Sequence, residues 1–175
     1  MNVMTSGSSL TADSPAPSAR DRPARIVLRE GEGQRLWSGP GRDLIFKLNG
    51  DQTCGAFDYF VVEVAPRGGP PLHVHHRQDE TLHVLKGVFK VRIGDDTFTL
   101  NKGGFAYLPA NVPHAFLNLT DEPGEIIVLF VPGGGHRFFA DLAPVARAEK
   151  PDRAAIAQVF AKHNMTLLGP PLTQD

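Results

Sequence analysis

Turn-forming residues cut the chain between Leu44 and Val131 into pieces too short to make a helical domain. The interruptions are Asn49-Gly50-Asp51, Pro66 to Pro71, Gly87, Gly94-Asp95-Asp96 and Thr120 to Gly124. Glycine and asparagine accept positive φ at little cost, and proline presets a turn dihedral. Between them lie Leu44–Leu48, Phe57–Ala65, Thr81–Leu85, Phe89–Ile93, Thr97–Leu100, Phe105–Leu108, Ala115–Leu119 and Glu125–Val131, rich in aromatic and β-branched residues. In one of them Phe89, Val91 and Ile93 alternate with Lys90 and Arg92, the pattern of a strand with one buried and one wet face. Ile26-Val27-Leu28 reads as a further edge strand. Many short strands at this spacing indicate an antiparallel sandwich or barrel.

The ends read differently. Residues 1–23 are rich in Ser, Ala, Pro and Thr with almost no large apolar side chains. Such a segment cannot offset its ordering entropy and is expected to be a disordered tail, or else an arm that orders against a partner. After Pro132 the period changes. Arg137–Val145 and Asp152–Lys162 are expected helices, the second opened by Asp152 and carrying Ile156, Val159 and Phe160 on one face. Met165 onward is expected to run out past Gly169-Pro170-Pro171. The organisation expected is a β-barrel over 24–132 and a helical extension over 133–175 packed on it.

Composition closes off several classes of function. A formal net charge of −1 leaves no footprint for nucleic acid or an anionic membrane surface, and no helix-turn-helix pattern is visible. No apolar run is long enough to span a bilayer. The N-terminal residues lack a positive region followed by an apolar core, so a cytoplasmic location is expected. Cys54 is the only cysteine, which excludes an intramolecular disulfide, and it is expected as a buried or half-buried structural thiol.

Chemistry concentrates between Gly68 and Asn118. His73 and His75 are two apart, so on a strand both imidazoles project from one face. Glu80 is five further on, an odd step, so the chain must bend or bulge before it if the three are to converge. His114 follows after Pro113. Three imidazoles and a carboxylate suit a divalent first-row transition metal. Without a metal, the same four groups would have to satisfy one another or bind water, because burying them unpaired is costly.

The two halves of this stretch resemble the motifs of the cupin superfamily. Its first motif, roughly G-x5-H-x-H-x(3,4)-E-x6-G, is matched by His73, His75, Glu80 and Gly87. Its second, G-x5-P-x-G-x2-H-x3-N, is matched by Gly103, Pro109, His114 and Asn118. The opening glycine of the first motif falls at Gly68 where the pattern asks for position 67, held by Arg67. Asn111 stands where the second motif has a glycine. Over roughly Leu44 to Leu172 the chain resembles small bacterial cupins related to quercetin dioxygenases.

That resemblance implies a single jelly-roll β-barrel with C-terminal helices and one divalent metal per chain (Fe, Mn, Ni, Co, Cu or Zn), held by His73, His75, Glu80 and His114. It implies a small-molecule ligand inside the barrel and a homodimer. The activity implied is that of a metal-dependent dioxygenase on a small aromatic or flavonol-like substrate, with Glu80 as both ligand and general base. A non-catalytic metal-containing cupin that binds or senses a small molecule, or a cupin isomerase, is the alternative. Phe60, Val62, Leu82, Phe89, Phe105, Phe116 and Phe130 are the expected candidates for an inward-facing wall. His76 is expected on the surface or behind the site, His83 either in the pocket or in the sheet, Asp79 in a turn, and His136 and His163 in solvent.

Overall fold

The computed structural model describes residues 25–174; the tail expected over 1–23 lies outside the described residues. Eleven strands and two helices run in the order β1 Gln34–Gly39, β2 Arg42–Leu48, β3 Asp58–Val64, β4 Pro71–His75, β5 Asp79–Lys86, β6 Phe89–Ile93, β7 Asp96–Leu100, β8 Phe105–Leu108, β9 His114–Asn118, β10 Gly124–Val131, α1 Gly135–Ala146, α2 Arg153–Lys162 and β11 Met165–Pro171. They form an antiparallel six-stranded sheet, β1-β2-β3-β10-β5-β8, and an antiparallel five-stranded sheet, β11-β4-β9-β6-β7. This is the expected jelly roll with C-terminal helices. Among the described residues no strand pairing joins the two sheets, so the barrel is open as a sandwich.

Alternation along the strands explains the core. In β3 and β10 every second residue is buried, and these residues meet Phe89, Val91 and Phe116 of the facing sheet. A second apolar cluster joins Phe138 and Leu142 of α1, Phe160 of α2 and Met165 of β11. It covers the sandwich on the side where His73 lies edge-on to Phe160, ring centroids 6.2 Å apart.

Several local expectations change in three dimensions. Residues 26–28 form no strand and are exposed; the first strand is Gln34–Gly39, whose register with β2 shifts between Trp37 and Gly39. Met165–Pro171 pairs with β4, matching Met165 to His75 and Leu167 to His73, so the C-terminal residues return to brace the histidine strand. Cys54 is exposed, in a turn at φ 55, and is not the buried or half-buried thiol expected. Phe105 faces solvent at 59% exposure, and Leu82 and Phe89 fill the core.

The expectation that His136 is solvated is also overturned. It is buried between Asp58, 3.4 Å from Nδ1, and Asp51, 3.2 Å from Nε2. Asp58 itself is wholly buried and accepts hydrogen bonds from the N–H groups of Gly50, Gly134 and Gly135 at 2.6, 2.8 and 2.6 Å. No side chain of α1's own N-cap residue serves that end. A carboxylate on β3 therefore caps the helix and fastens it to the six-stranded sheet.

Candidate metal centre

β4 and β5 belong to different sheets, which answers the odd step between His75 and Glu80. The chain turns through residues 76–78 and crosses from one sheet to the other, so Glu80 faces the histidines from the opposite wall. Gln78 anchors the crossing by donating to the Pro132 carbonyl at 2.8 Å. His73 and His114 are direct cross-strand partners on β4 and β9. The three imidazole centroids are 4.6 to 5.2 Å apart.

The loop that delivers His114 is pinned from both ligand-bearing strands. The His75 carbonyl accepts from Asn111 N–H at 2.7 Å, and the Asp79 carboxylate accepts from Ala110 N–H at 2.9 Å. Asp79 thus opens β5 and braces this loop. Both departures from the motif occupy left-handed conformations, Arg67 at φ 57 and Asn111 at φ 66. The backbone has kept the shape that the glycine would adopt. At the far end of β9, buried Asn118 donates to the carbonyls of Val64, Ala65 and Glu122 and accepts from Thr120, tying the two sheets together.

One potential ligand atom from each of His73, His75, Glu80 and His114 lies within 4.8 Å of all the others, and all four residues are buried. Atoms each about 2 Å from one ion sit roughly 3–4 Å from one another, so a single ion fits with small side-chain movements. The hydrogen bonds agree. Nδ1–H of His73 donates to the Pro71 carbonyl at 2.8 Å and Nδ1–H of His114 to the Val112 carbonyl at 3.0 Å. Each bond leaves Nε2 as the atom available to the cluster. Nε2 of His114 is 3.1 Å from the Glu80 carboxylate, a contact that needs a proton or another cation between them. Both ring nitrogens of His75 are buried with no hydrogen-bond partner. Leaving such atoms unsatisfied costs on the order of 1–3 kcal/mol each, and a ligated ion removes that cost for one of them.

Protonation follows the same logic. Burial holds His73 down to about 3, helped by the neighbouring His114 and Arg42 charges against the pull of the Pro71 carbonyl. Burial likewise holds His75 well below its usual value. For His114 burial also pulls downward, but the hydrogen bond and charge of Glu80 outweigh it and the net direction is up. Two imidazoles are therefore ready as neutral ligands near pH 7. In the metal-free protein, His73, held down to about 3, and His75, also held well below its usual value, both take up protons on unfolding in acid below about 6.5. The unfolded state then binds more protons, so stability should fall as pH is lowered through that window. His114, raised, opposes one of them. Urea titrations of the metal-free protein at pH 7.5 and 4.5 check this; equal stability at both would contradict it.

The cluster opens on a cavity of about 230 Å³. Of the expected wall residues, Phe60, Val62, Phe116 and Phe130 line it. Among its other lining residues are Trp37 and Arg42 on β1 and β2, and Phe138, Phe139 and Phe160 on the helices, none of them expected there. For Arg42 a signal existed, since it is in phase with inward-facing Leu44 and Phe46. For the helical residues none did, because helix docking is decided by long-range contacts. His76 is exposed and bonded to Asn111 and Thr166, and His83 lies on the outer face near Phe105. His163, expected in solvent, is half-buried and paired with Asp141 at 2.6 Å.

Comparison with known proteins agrees with this geometry. Residues 60–131 match the cupin domain family. Quercetin 2,3-dioxygenase of Bacillus subtilis (strain 168) is 30% identical over 129 residues, which is 74% of this chain and 38% of that protein. The chain therefore spans well under half the length of that relative. Polyketide synthase CurC of Streptomyces cyaneus is 26% identical over 113 residues, 63% of this chain and 71% of that protein. The structure of KdgF from Halomonas sp. superposes with a TM-score of 0.56 at 19% identity, covering 62% of this chain and 94% of that one; the likeness is one of fold. No helix among the described residues is long and apolar enough to cross a membrane.

Proposed function

Because the chain belongs to the cupin superfamily and resembles quercetin dioxygenase-like proteins, we propose that it is a metal-dependent dioxygenase acting on a small aromatic, flavonol-like substrate. The observation that carries this reading is a buried histidine whose two ring nitrogens make no hydrogen bond, set among three further ligand groups at the edge of an apolar cavity. His73, His75, Glu80 and His114 would hold one divalent transition ion. When bound, that ion supplies Lewis acidity and a template for a substrate hydroxyl and dioxygen.

The chain's own residues do the rest. The backbone carbonyls of Pro71 and Val112 orient two imidazoles. Phe60, Phe130 and Val128 give the cavity dry walls, which strengthen electrostatic interactions inside it and keep water from competing. Glu80 projects into this space from the opposite sheet and is 5% exposed. Its carboxylate oxygen accepts the proton of the substrate hydroxyl, which turns the phenol into the more oxidisable phenolate. Positioned general bases contribute about 10²–10⁴-fold, so Glu80→Gln should lower kcat by at least 10²-fold while keeping metal. Full turnover in a metal-loaded Glu80→Gln protein would remove the general base from the mechanism.

Oxygen uptake by the metal-reconstituted protein over a panel of flavonols tests the activity. Uptake matched to substrate loss supports the dioxygenase. Tight flavonol binding with no uptake under any of the candidate metals would favour a binding or sensing protein instead. The same reading includes a cytoplasmic homodimer, whose stoichiometry is checked by light scattering of the untagged protein.

A further inference from the structure

Arg42 is the one guanidinium among the described residues that line the cavity. It opens β2 half-buried, in phase with buried Leu44 and Phe46, and lines the apolar cavity. Its Nη2 donates to the Ser38 carbonyl at 2.6 Å. Among the described residues this is its only guanidinium hydrogen bond, and it has no carboxylate partner. Burial lowers its pKa to about 10, so it stays charged at neutral pH.

The backbone makes room for it. The register of β1 against β2 shifts between Trp37 and Gly39, and Gly39 sits at φ 153. A Cβ at Gly39 would meet the guanidinium itself, with its carbon 3.0 Å away. A second cation, Arg147, stacks over Trp37 at 5.1 Å from the ring centroid, and Trp37 lines the same cavity. The sole carboxylate among the lining residues is Glu80, which belongs to the metal cluster. A charged guanidinium with most of its five donors unused, held over a glycine in an apolar cavity, is a site for an anion.

Register also gives a direction. Arg42 pairs with Val64 of β3, and Glu80 pairs through Phe130 with Asp58 of the same strand. Those rungs are six residue steps apart along β3, about 20 Å of backbone at ~3.3 Å per residue. Both side chains line the one cavity, with Phe60, Val62 and Phe130 in its wall.

We propose that Arg42 anchors the carboxylate of an elongated aromatic acid whose far end, bearing a hydroxyl, reaches the histidine cluster. Substrate choice would then rest on a feature outside the matched cupin residues, in the β1–β2 hairpin. This identification of the ligand class builds on the metal-site reading, but the anchor can be measured separately from it.

The probe is 6-hydroxy-2-naphthoate, compared by calorimetric titration with its uncharged carboxamide, using both metal-free and metal-loaded full-length protein. Hydrogen bonds to a charged group are strong enough to predict that wild type prefers the acid by about 10–100-fold in both forms. Arg42→Gln should bring the two probes to within about threefold. Gly39→Ala, which displaces the guanidinium without removing it, should also erode the preference, and it serves if Arg42→Gln fails to fold. The proposal is overturned if wild type binds neither probe, shows no preference for the acid, or keeps that preference in both variants. Failure of the metal reading would show separately, as absence of metal uptake by wild type, while the acid preference of the metal-free protein stands or falls alone.

Discussion

Substituting His75 by alanine is expected to take bound metal from about one equivalent per chain to none, measured by elemental analysis of untagged, reconstituted protein. His75 is 1% exposed and neither ring nitrogen has a hydrogen-bond partner, so it contributes nothing to the metal-free structure that a hydrogen bond could account for. The stability consequences should therefore have opposite signs in the two states. Without metal, His75→Leu removes buried unsatisfied polar atoms and should leave the protein unchanged or more stable by about 1–3 kcal/mol. With metal at roughly a thousand times its Kd, wild type should gain about 4 kcal/mol from binding, and the variant should gain none. Chemical denaturation with and without chelator reads both. A variant that retains a full equivalent of metal, or that loses stability equally with and without it, would mean His75 is a core residue and no ligand.

The second large effect is expected at Asp58→Ala, outside the four-residue cluster. Three backbone N–H groups, of Gly50, Gly134 and Gly135, converge on this wholly buried carboxylate. Truncation strands all three as well as one nitrogen of His136. With about 1–3 kcal/mol for each buried group left unsatisfied, and some relief from entering water, the loss should be at least about 3 kcal/mol in a urea titration. Asp58→Asn keeps one acceptor oxygen and should lose less. The same bonds hold the start of α1, whose Phe138 and Phe139 line the cavity. Ligand affinity should therefore fall with stability. If Asp58→Ala unfolds at the wild-type urea concentration, the carboxylate is not what fastens α1 to the sheet.

These two residues mark the boundary between what was legible in the sequence and what was not. His75 stands in a spaced pattern, two residues from His73 and five from Glu80, and pattern survives without knowledge of the fold. Asp58 has no pattern, since its partners lie eight and more than seventy residues away in the chain. The same contrast separates Asn118, a motif residue, from His136, which the sequence reading placed in solvent. It also separates the Phe60 and Phe130 wall, readable from strand alternation, from Phe138 and Phe160, which reach the cavity only through helix docking.

The strand-rich fold, the four-residue cluster and the turns between its members were legible before folding, because they rest on periodicity, turn chemistry and short spacings. Tertiary structure alone decided that Glu80 approaches from the opposite sheet, that β11 returns to brace β4, and that Arg42 enters an apolar cavity while Phe105 does not. Those outcomes depend on which surfaces face each other across the sandwich. Pairings between distant segments are chosen by total burial and hydrogen-bond satisfaction, which no local stretch of sequence encodes.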